Sequence, residues 1–130
     1  MKVVVIIARI LLGLMFFVFG LNGFLHFIPM PPMPPSDATT FSLILMRSHY
    51  IYLISGTQVV AGFLLLIGQY VPFAEVLLAA MLANIFAFHI ALQHGSGIGM
   101  GVIALVLWLI VAWGYRVQLL PILARKPGVE

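Results

Sequence analysis

Cysteine is absent from this chain, and charged residues are scarce. Without cysteine, the chain cannot form disulfides, Cys-x-x-Cys redox pairs or thiolate metal sites. Only 3 acidic and 6 basic residues are present, so charged side chains make up 7% of the sequence. Because the basic residues form no dense cluster, a surface for binding nucleic acid is not expected.

Apolar side chains, in contrast, make up 64% of the residues, and the mean hydropathy is +1.23. Soluble domains are roughly 45–50% apolar and about 25% charged. A water-soluble fold of 130 residues could not hide so much apolar surface, because small domains bury only part of what they expose. We therefore predict an integral membrane protein that is surrounded by the lipid bilayer.

Four apolar segments are long enough to cross a bilayer, which requires about 20 helical residues. They are predicted at about residues 3–28, 50–68, 73–93 and 102–120. Helix is expected because backbone polar groups in lipid must be paired within their own segment. The predicted fold is all-α, a single integral membrane four-helix bundle that comprises residues 1–130.

A proline-rich stretch, PMPPMPP, follows the first segment at residues 29–35. Proline lacks the amide hydrogen and fixes φ, which favours polyproline II over helix. Ser36 or Asp37 then supplies a helix cap. A short interfacial helix is predicted at about residues 38–47, followed by a bend into the second crossing.

The distribution of basic residues predicts the orientation of the chain. Five of the six lie near its two ends: Lys2, Arg9, Arg116, Arg125 and Lys126. The segments between the predicted crossings contain only Arg47. The positive-inside rule therefore predicts a multi-pass protein of the plasma (inner) membrane with both termini in the cytoplasm.

Four polar side chains are predicted to gather near the outer ends of the helices: Asn22, His26, Gln58 and His89. The i,i+4 spacing of Asn22 and His26 puts both on one helix face. His89 lies about one turn below the outer end of the third segment. With the proline segment as a lid, these residues predict a ligand-binding pocket. A polar network that only ties helices together is the alternative left open.

Further inside, the third segment contains Glu75, which nearly shares a helix face with His89, whereas Asn84 lies about 140° away from His89. We interpret the face of Glu75 as inward. Arg9 and Glu75 are predicted at similar depth, and a structural ion pair between them would relieve the cost of charge in lipid. The alternative interpretation is that these residues bind a proton or an anion on the cytoplasmic side. Close helix approach is expected at four glycines: Gly13, Gly20, Gly56 and Gly62.

Several of these stretches resemble the DoxX family of small four-helix membrane proteins. They are the first helix led by Arg9, GLNGFLHF at residues 20–27, the proline loop, NIFAFH at residues 84–89 and the closing WGYR. The resemblance spans nearly the whole chain. It implies the four-helix architecture and a quinone-linked redox role, since the family's namesakes are associated with thiosulfate:quinone oxidoreductase. Many relatives carry glutamate where this chain has Gln58, so a proton-carrying role at that position is in doubt.

The favoured function is that of a quinone-binding accessory subunit in a membrane redox complex. A quinone needs an apolar slot with polar groups for its two carbonyls. Haem held by two histidines is disfavoured, and no metal site or catalytic residue is assigned. Four points stay open: a non-enzymatic scaffold that binds partner proteins, a small transporter, enzymatic activity of the chain itself, and its association into homo-oligomers.

Overall fold

The computed structural model describes residues 1–27, 34–95, 97–126 and 128–129. Six α-helices lie within these ranges: α1 (Lys2–Leu25), α2 (Asp37–Arg47), α3 (Ile51–Ile67), α4 (Val71–Ala87), α5 (Gly99–Gly114) and α6 (Arg116–Leu119). A π-helical turn, Phe88–Leu92, extends α4, and a 3-10 turn, Leu120–Leu123, follows α6. The described residues contain no strand, so the predicted all-α class is confirmed.

Two helical segments are long and apolar enough to cross a membrane on their own. They are α1 and the combination of α4 with the π turn, which runs from Val71 to Leu92. Two further candidates are helix pairs that bend by 85° at a short break, namely α2 with α3 and α5 with the segment Arg116–Leu123. By length and composition, the described residues therefore provide two to four candidate crossings, against the four predicted.

The first helix ends earlier than the sequence suggested, at Leu25 rather than near residue 28. His26 adopts a left-handed backbone conformation with φ 52°, and its N–H donates to the carbonyl of Asn22 at 2.8 Å. A left-handed residue at this position terminates a helix because its backbone cannot continue the helical path. The predicted proline lid falls mainly on residues 28–33, which lie outside the described residues.

The short helix predicted at residues 38–47 is confirmed as α2. Ser36 is its N-cap, and the Ser36 hydroxyl accepts a hydrogen bond from the N–H of Thr39 at 3.2 Å. The Thr39 hydroxyl in turn donates to the carbonyl of Pro34 at 2.7 Å. These bonds define where the helix begins, and the 85° bend after it separates α2 from α3.

The fourth long helix ends at Gly114, short of the predicted end near residue 120. Tyr115 leaves the helical conformation, with φ −110° and ψ 22°, and the chain turns by 85° into α6. Arg116 stabilises this turn, since its Nη1 donates to the carbonyl of Trp113 at 2.8 Å. The predicted apolar run continues through this turn, and hydropathy alone therefore did not reveal it.

The four long helices pack in a closed order around one apolar core. Helix α1 packs against α3 and α5, and α4 packs against the same two helices, so α1 and α4 are diagonal to each other. Buried side chains from all four fill the centre, among them Leu12, Leu65, Leu78 and Val111. Glu75 is fully buried on the same face of α4 as Leu78, which confirms that this face is inward.

Glycine brings α1 and α3 into backbone contact. A Cβ atom on Gly62 would lie 2.5 Å from the amide nitrogen of Phe17 and 2.7 Å from the carbonyl oxygen of Gly13. Gly20 also meets the α3 backbone. Close approach is therefore confirmed at Gly13, Gly20 and Gly62. The same prediction is wrong for Gly56, because an added Cβ there would meet only Cζ of Phe24, at 3.9 Å.

Candidate ligand-binding site

A cavity of about 910 Å³ lies between α2, the first half of α3 and the last turns of α4 with the π turn. Helix α2 contributes Phe41, Ile44 and Leu45, and its C-cap Ser48 continues the i, i+3, i+4, i+7 spacing of one helix face. The ring of Phe41 lies 5.8 Å from the ring of Phe88, so α2 contacts the π turn across the cavity. The bend between α2 and α3 is what allows α2 to form this wall.

The opposite wall is a stripe along α4 and the π turn. It includes Met81, Asn84, Ile85, Phe88 and Leu92, again at helical spacing, with His89 beside them. Asn84 and His89 lie at opposite edges of this stripe, about 140° apart around the helix. Both line the cavity because the cavity is wider than a single row of side chains. Asn84 was not predicted as a ligand-binding residue, because it does not share a helix face with His89. The structure places it in the cavity lining nevertheless.

The imidazole of His89 has a defined hydrogen-bonding state. Its Nδ1 lies 2.8 Å from the carbonyl oxygen of Ile85, one turn earlier. A carbonyl oxygen only accepts, so Nδ1 carries the hydrogen and donates it. In the neutral ring, Nε2 is then an acceptor, and it has no hydrogen-bond partner among the described residues. His89 therefore offers an acceptor to a bound molecule.

Two side-chain amides complete the polar lining. Nδ2 of Asn84 donates to the carbonyl of Ala80 at 2.9 Å, which leaves its amide oxygen and one N–H for other partners. Gln58, half-buried on α3, forms no hydrogen bond within the part of the chain that the structure describes. Since an amide both donates and accepts, Gln58 can pair with either a carbonyl or a hydroxyl group of a ligand.

Two hydroxyl groups of the lining, those of Thr57 and Ser48, bond to backbone carbonyls. Thr57 Oγ1 donates to the carbonyl of Leu53 at 2.8 Å, and Ser48 Oγ donates to the carbonyl of Leu45 at 3.4 Å. Neither hydroxyl forms a hydrogen bond with His89. Within the described lining, no hydroxyl group is hydrogen-bonded to His89 as a nucleophile would be to its base.

No family model, curated protein or solved structure matches this chain. Its function is therefore inferred from the chemistry of its own residues.

The four predicted ligand-binding residues are not brought together. Gln58 and His89 line the cavity, whereas Asn22 and His26 lie outside its lining. His26 is the left-handed cap after α1, so it has left the helical path that would have placed it on the face of Asn22. Asn22 itself is on α1, diagonal to the α4 wall. A ligand-binding role for Asn22 and His26 remains a prediction.

Few side chains of the cavity lining are of the kinds that ligate a metal ion or haem iron. Within the described ranges, no group of three or more His, Cys, Asp or Glu side chains could hold a metal ion. His89 is the one histidine among the described lining residues, so the cavity does not offer the two axial histidines considered above for haem.

The predicted ion pair between Arg9 and Glu75 is wrong for the described structure. Glu75 is fully buried, and neither of its carboxylate oxygens has a hydrogen-bond partner. Nε of Arg9 is likewise buried without a partner. The Arg9 guanidinium lies against Gly68 at the C-terminal end of α3, where the helix dipole favours a cation. Trp108 approaches Glu75 only through the backbone, since its Nε1 donates to the Glu75 carbonyl at 2.9 Å.

Proposed function

We propose that this chain is a DoxX-like multi-pass membrane protein with four crossings and both termini in the cytoplasm. The two long apolar helices and the two bent pairs support this architecture. Large apolar side chains are also exposed in helical rows, for example Ile7, Leu11 and Leu14 on α1 and Val102, Val106 and Leu109 on α5. Exposed apolar surface of this extent is covered at low cost by lipid.

Within that architecture, the chain serves as a quinone-binding accessory subunit of a membrane redox complex. The observation that carries this proposal is the cavity itself, whose lining is mostly hydrocarbon but includes unpartnered polar atoms of Gln58 and His89. Its volume of about 910 Å³ lies within the range of small-molecule sites. An apolar slot with a few polar groups is what a lipid-soluble ring with oxygen substituents requires.

The hydrogen-bonding state of His89 favours the reduced form of such a ligand. A quinone carbonyl only accepts, whereas a quinol hydroxyl donates. Nε2 of neutral His89 accepts, so it pairs with a quinol hydroxyl and not with a quinone carbonyl. Gln58 pairs with either form through its amide. We therefore expect the quinol to bind more tightly than the quinone.

The experiment measures binding of a short-tailed benzoquinol and the matching benzoquinone to the full chain in nanodiscs. Calorimetry under anaerobic conditions gives both affinities. Replacing Gln58 with leucine removes one hydrogen bond, which is worth about 0.5–1.5 kcal/mol, so we expect quinol affinity to fall by up to about tenfold. His89→Phe should weaken the quinol more than the quinone, which would remove the preference.

The matched control is a histidine outside the cavity that is not predicted to bind a ligand. His94→Phe makes the same chemical change without altering the cavity lining. Its quinol affinity should match that of the unmodified chain. The cavity assignment fails if His94→Phe weakens binding as much as His89→Phe does, or if both cavity variants bind normally.

A second candidate function is transport of a proton or small cation, and the state of Glu75 favours it. A fully buried carboxyl group without a hydrogen-bond partner is a functional candidate in a membrane protein. Flux through proteoliposomes that is lost in Glu75→Gln but retained in His89→Phe would favour transport. Absence of flux in the unmodified chain would dismiss it.

A further inference from the structure

A second cavity, of about 620 Å³, lies at the end of the molecule where α1 begins and α5 ends. Helix α1 lines it with Lys2, Val5, Ile6 and Arg9, whose i, i+3, i+4, i+7 spacing defines one face of the helix. The end of α5 and the turn after it supply the other wall, from Trp113 to Arg116.

The two walls meet because Gly114 has no side chain. A Cβ atom at this position would lie 2.5 Å from Cγ1 of Val5, so α1 and the end of α5 are in direct contact there. This contact holds the basic face of α1 beside Arg116, which is more than a hundred residues away in sequence. The cavity is therefore a product of the tertiary fold and not of one helix end.

The lining of this cavity carries charge of one sign. Lys2, Arg9 and Arg116 are cationic, and the described lining contains no acidic residue. Glu75, the acidic residue predicted to pair with Arg9, accepts no hydrogen bond from it. Three cations that share a partly enclosed space without a counter-charge repel one another, and a bound anion would relieve that repulsion.

Free hydrogen-bond donors are also available at this cavity. Arg116 uses one N–H to reach the carbonyl of Trp113, at 2.8 Å, and its guanidinium carbon lies 4.3 Å from the centre of the Trp113 ring. This contact fixes the position of the guanidinium and leaves its other N–H groups unused. Arg9 adds positive charge to the lining, but its Nε is buried and its guanidinium lies against Gly68, so it is not counted among these donors. A phosphate group, with several acceptor oxygens, matches this set of donors.

We propose that this cavity binds an anionic phosphate group, contributed by the headgroup of an anionic phospholipid. Trp113 and Tyr115 place the cavity at headgroup level, because Trp and Tyr concentrate where acyl chains meet water. Basic pockets at the ends of membrane helices are suited to such headgroups, and a free phosphate anion shares the same recognition chemistry. This cavity shares no lining residue with the cavity proposed for quinone. The phosphate proposal can therefore be tested independently of the quinone proposal.

The test uses native mass spectrometry of the full chain in detergent with added phosphatidylglycerol or phosphatidylcholine. The unmodified chain should retain phosphatidylglycerol in preference to phosphatidylcholine. Lys2→Gln alters an exposed side chain and no recorded hydrogen bond, so the fold should persist. Arg116→Gln also removes the bond to the Trp113 carbonyl, so far-ultraviolet circular dichroism is used to check that its helix content is unchanged. Each of the two variants should weaken phosphatidylglycerol binding by about fivefold, the effect of one basic residue near an anionic membrane.

Arg125→Gln and Arg47→Gln are matched controls, because they remove the same charge from positions outside the cavity lining. Their affinity should be unchanged, and a loss equal to that of Arg116→Gln would overturn the proposal in favour of diffuse charge attraction. Equal retention of both lipids by the unmodified chain would overturn the assignment to a phospholipid headgroup. Inorganic phosphate could still bind, with Lys2→Gln and Arg116→Gln weakening its binding and the two control variants leaving it unchanged. In this last case the site stands, with free phosphate as its source.

Discussion

Replacing Gly62 with alanine tests the backbone contact between α1 and α3. The new Cβ atom would lie 2.5 Å from the amide nitrogen of Phe17, and ordinary contacts begin at 3.4 Å, so the helices must separate by about 0.9 Å. Because the atoms it meets belong to backbone, no side-chain rotation can relieve the clash. Overpacking of this kind costs about 1–3 kcal/mol, and alanine's higher helix propensity recovers up to about 1 kcal/mol. We expect Gly62→Ala to lower the free energy of unfolding by about 1–2 kcal/mol.

Gly56→Ala is the matched control on the same helix. Its Cβ would meet one carbon of Phe24 at 3.9 Å, so only the helix-propensity gain of up to about 1 kcal/mol should remain. Unfolding of both variants by sodium dodecyl sulfate in bicelles, followed by far-ultraviolet circular dichroism, would measure the difference. Opposite signs are expected for the two changes. If Gly62→Ala proves as stable as Gly56→Ala, the reasoning about helix contact is refuted.

Three further outcomes are expected. Glu75→Leu should be neutral or stabilising by about 1 kcal/mol in the same unfolding assay, because the carboxyl has no partner; a loss of about 3–5 kcal/mol would instead reveal an ion pair with Arg9. Ser36→Ala removes the cap bond to Thr39 and should cost about 1 kcal/mol locally, seen as faster amide hydrogen exchange confined to α2. Trp108→Phe removes the bond to the Glu75 carbonyl and should lower unfolding stability by about 0.5–1.5 kcal/mol, whereas an unchanged value would show that this bond adds nothing net.

Much of the helical arrangement could be predicted from composition and from local stop signals. Gly68 ends α3 in the left-handed conformation that glycine favours, and Ser36 begins α2 as a cap. The early end of α5 at Gly114 was missed because the following residues are still apolar. That turn depends on contacts with α1 and on the bond from Arg116, which no local pattern reports.

Less of the candidate site could be predicted. Gln58 and His89 were identified because polar groups in an apolar helix stand out, and both line one cavity. His26 was predicted to share a helix face with Asn22. In the structure α1 ends at Leu25, and His26 is its left-handed C-cap, so it does not lie on that face. Asn84 was not among the predicted ligand-binding residues, although a cavity between three helical segments accepts side chains from a wide arc.

The glycine contact between α1 and α3 has a consequence for how ligands of different size are accommodated. Gly13, Gly20 and Gly62 bring the two main chains together, so the wall of the candidate ligand-binding cavity formed by α3 is held by atoms that cannot rotate aside. The opposite side is held by side chains, such as the rings of Phe41 and Phe88 at 5.8 Å. A bulkier guest would therefore displace α2 and the π turn, and leave the remainder of the molecule in its original position.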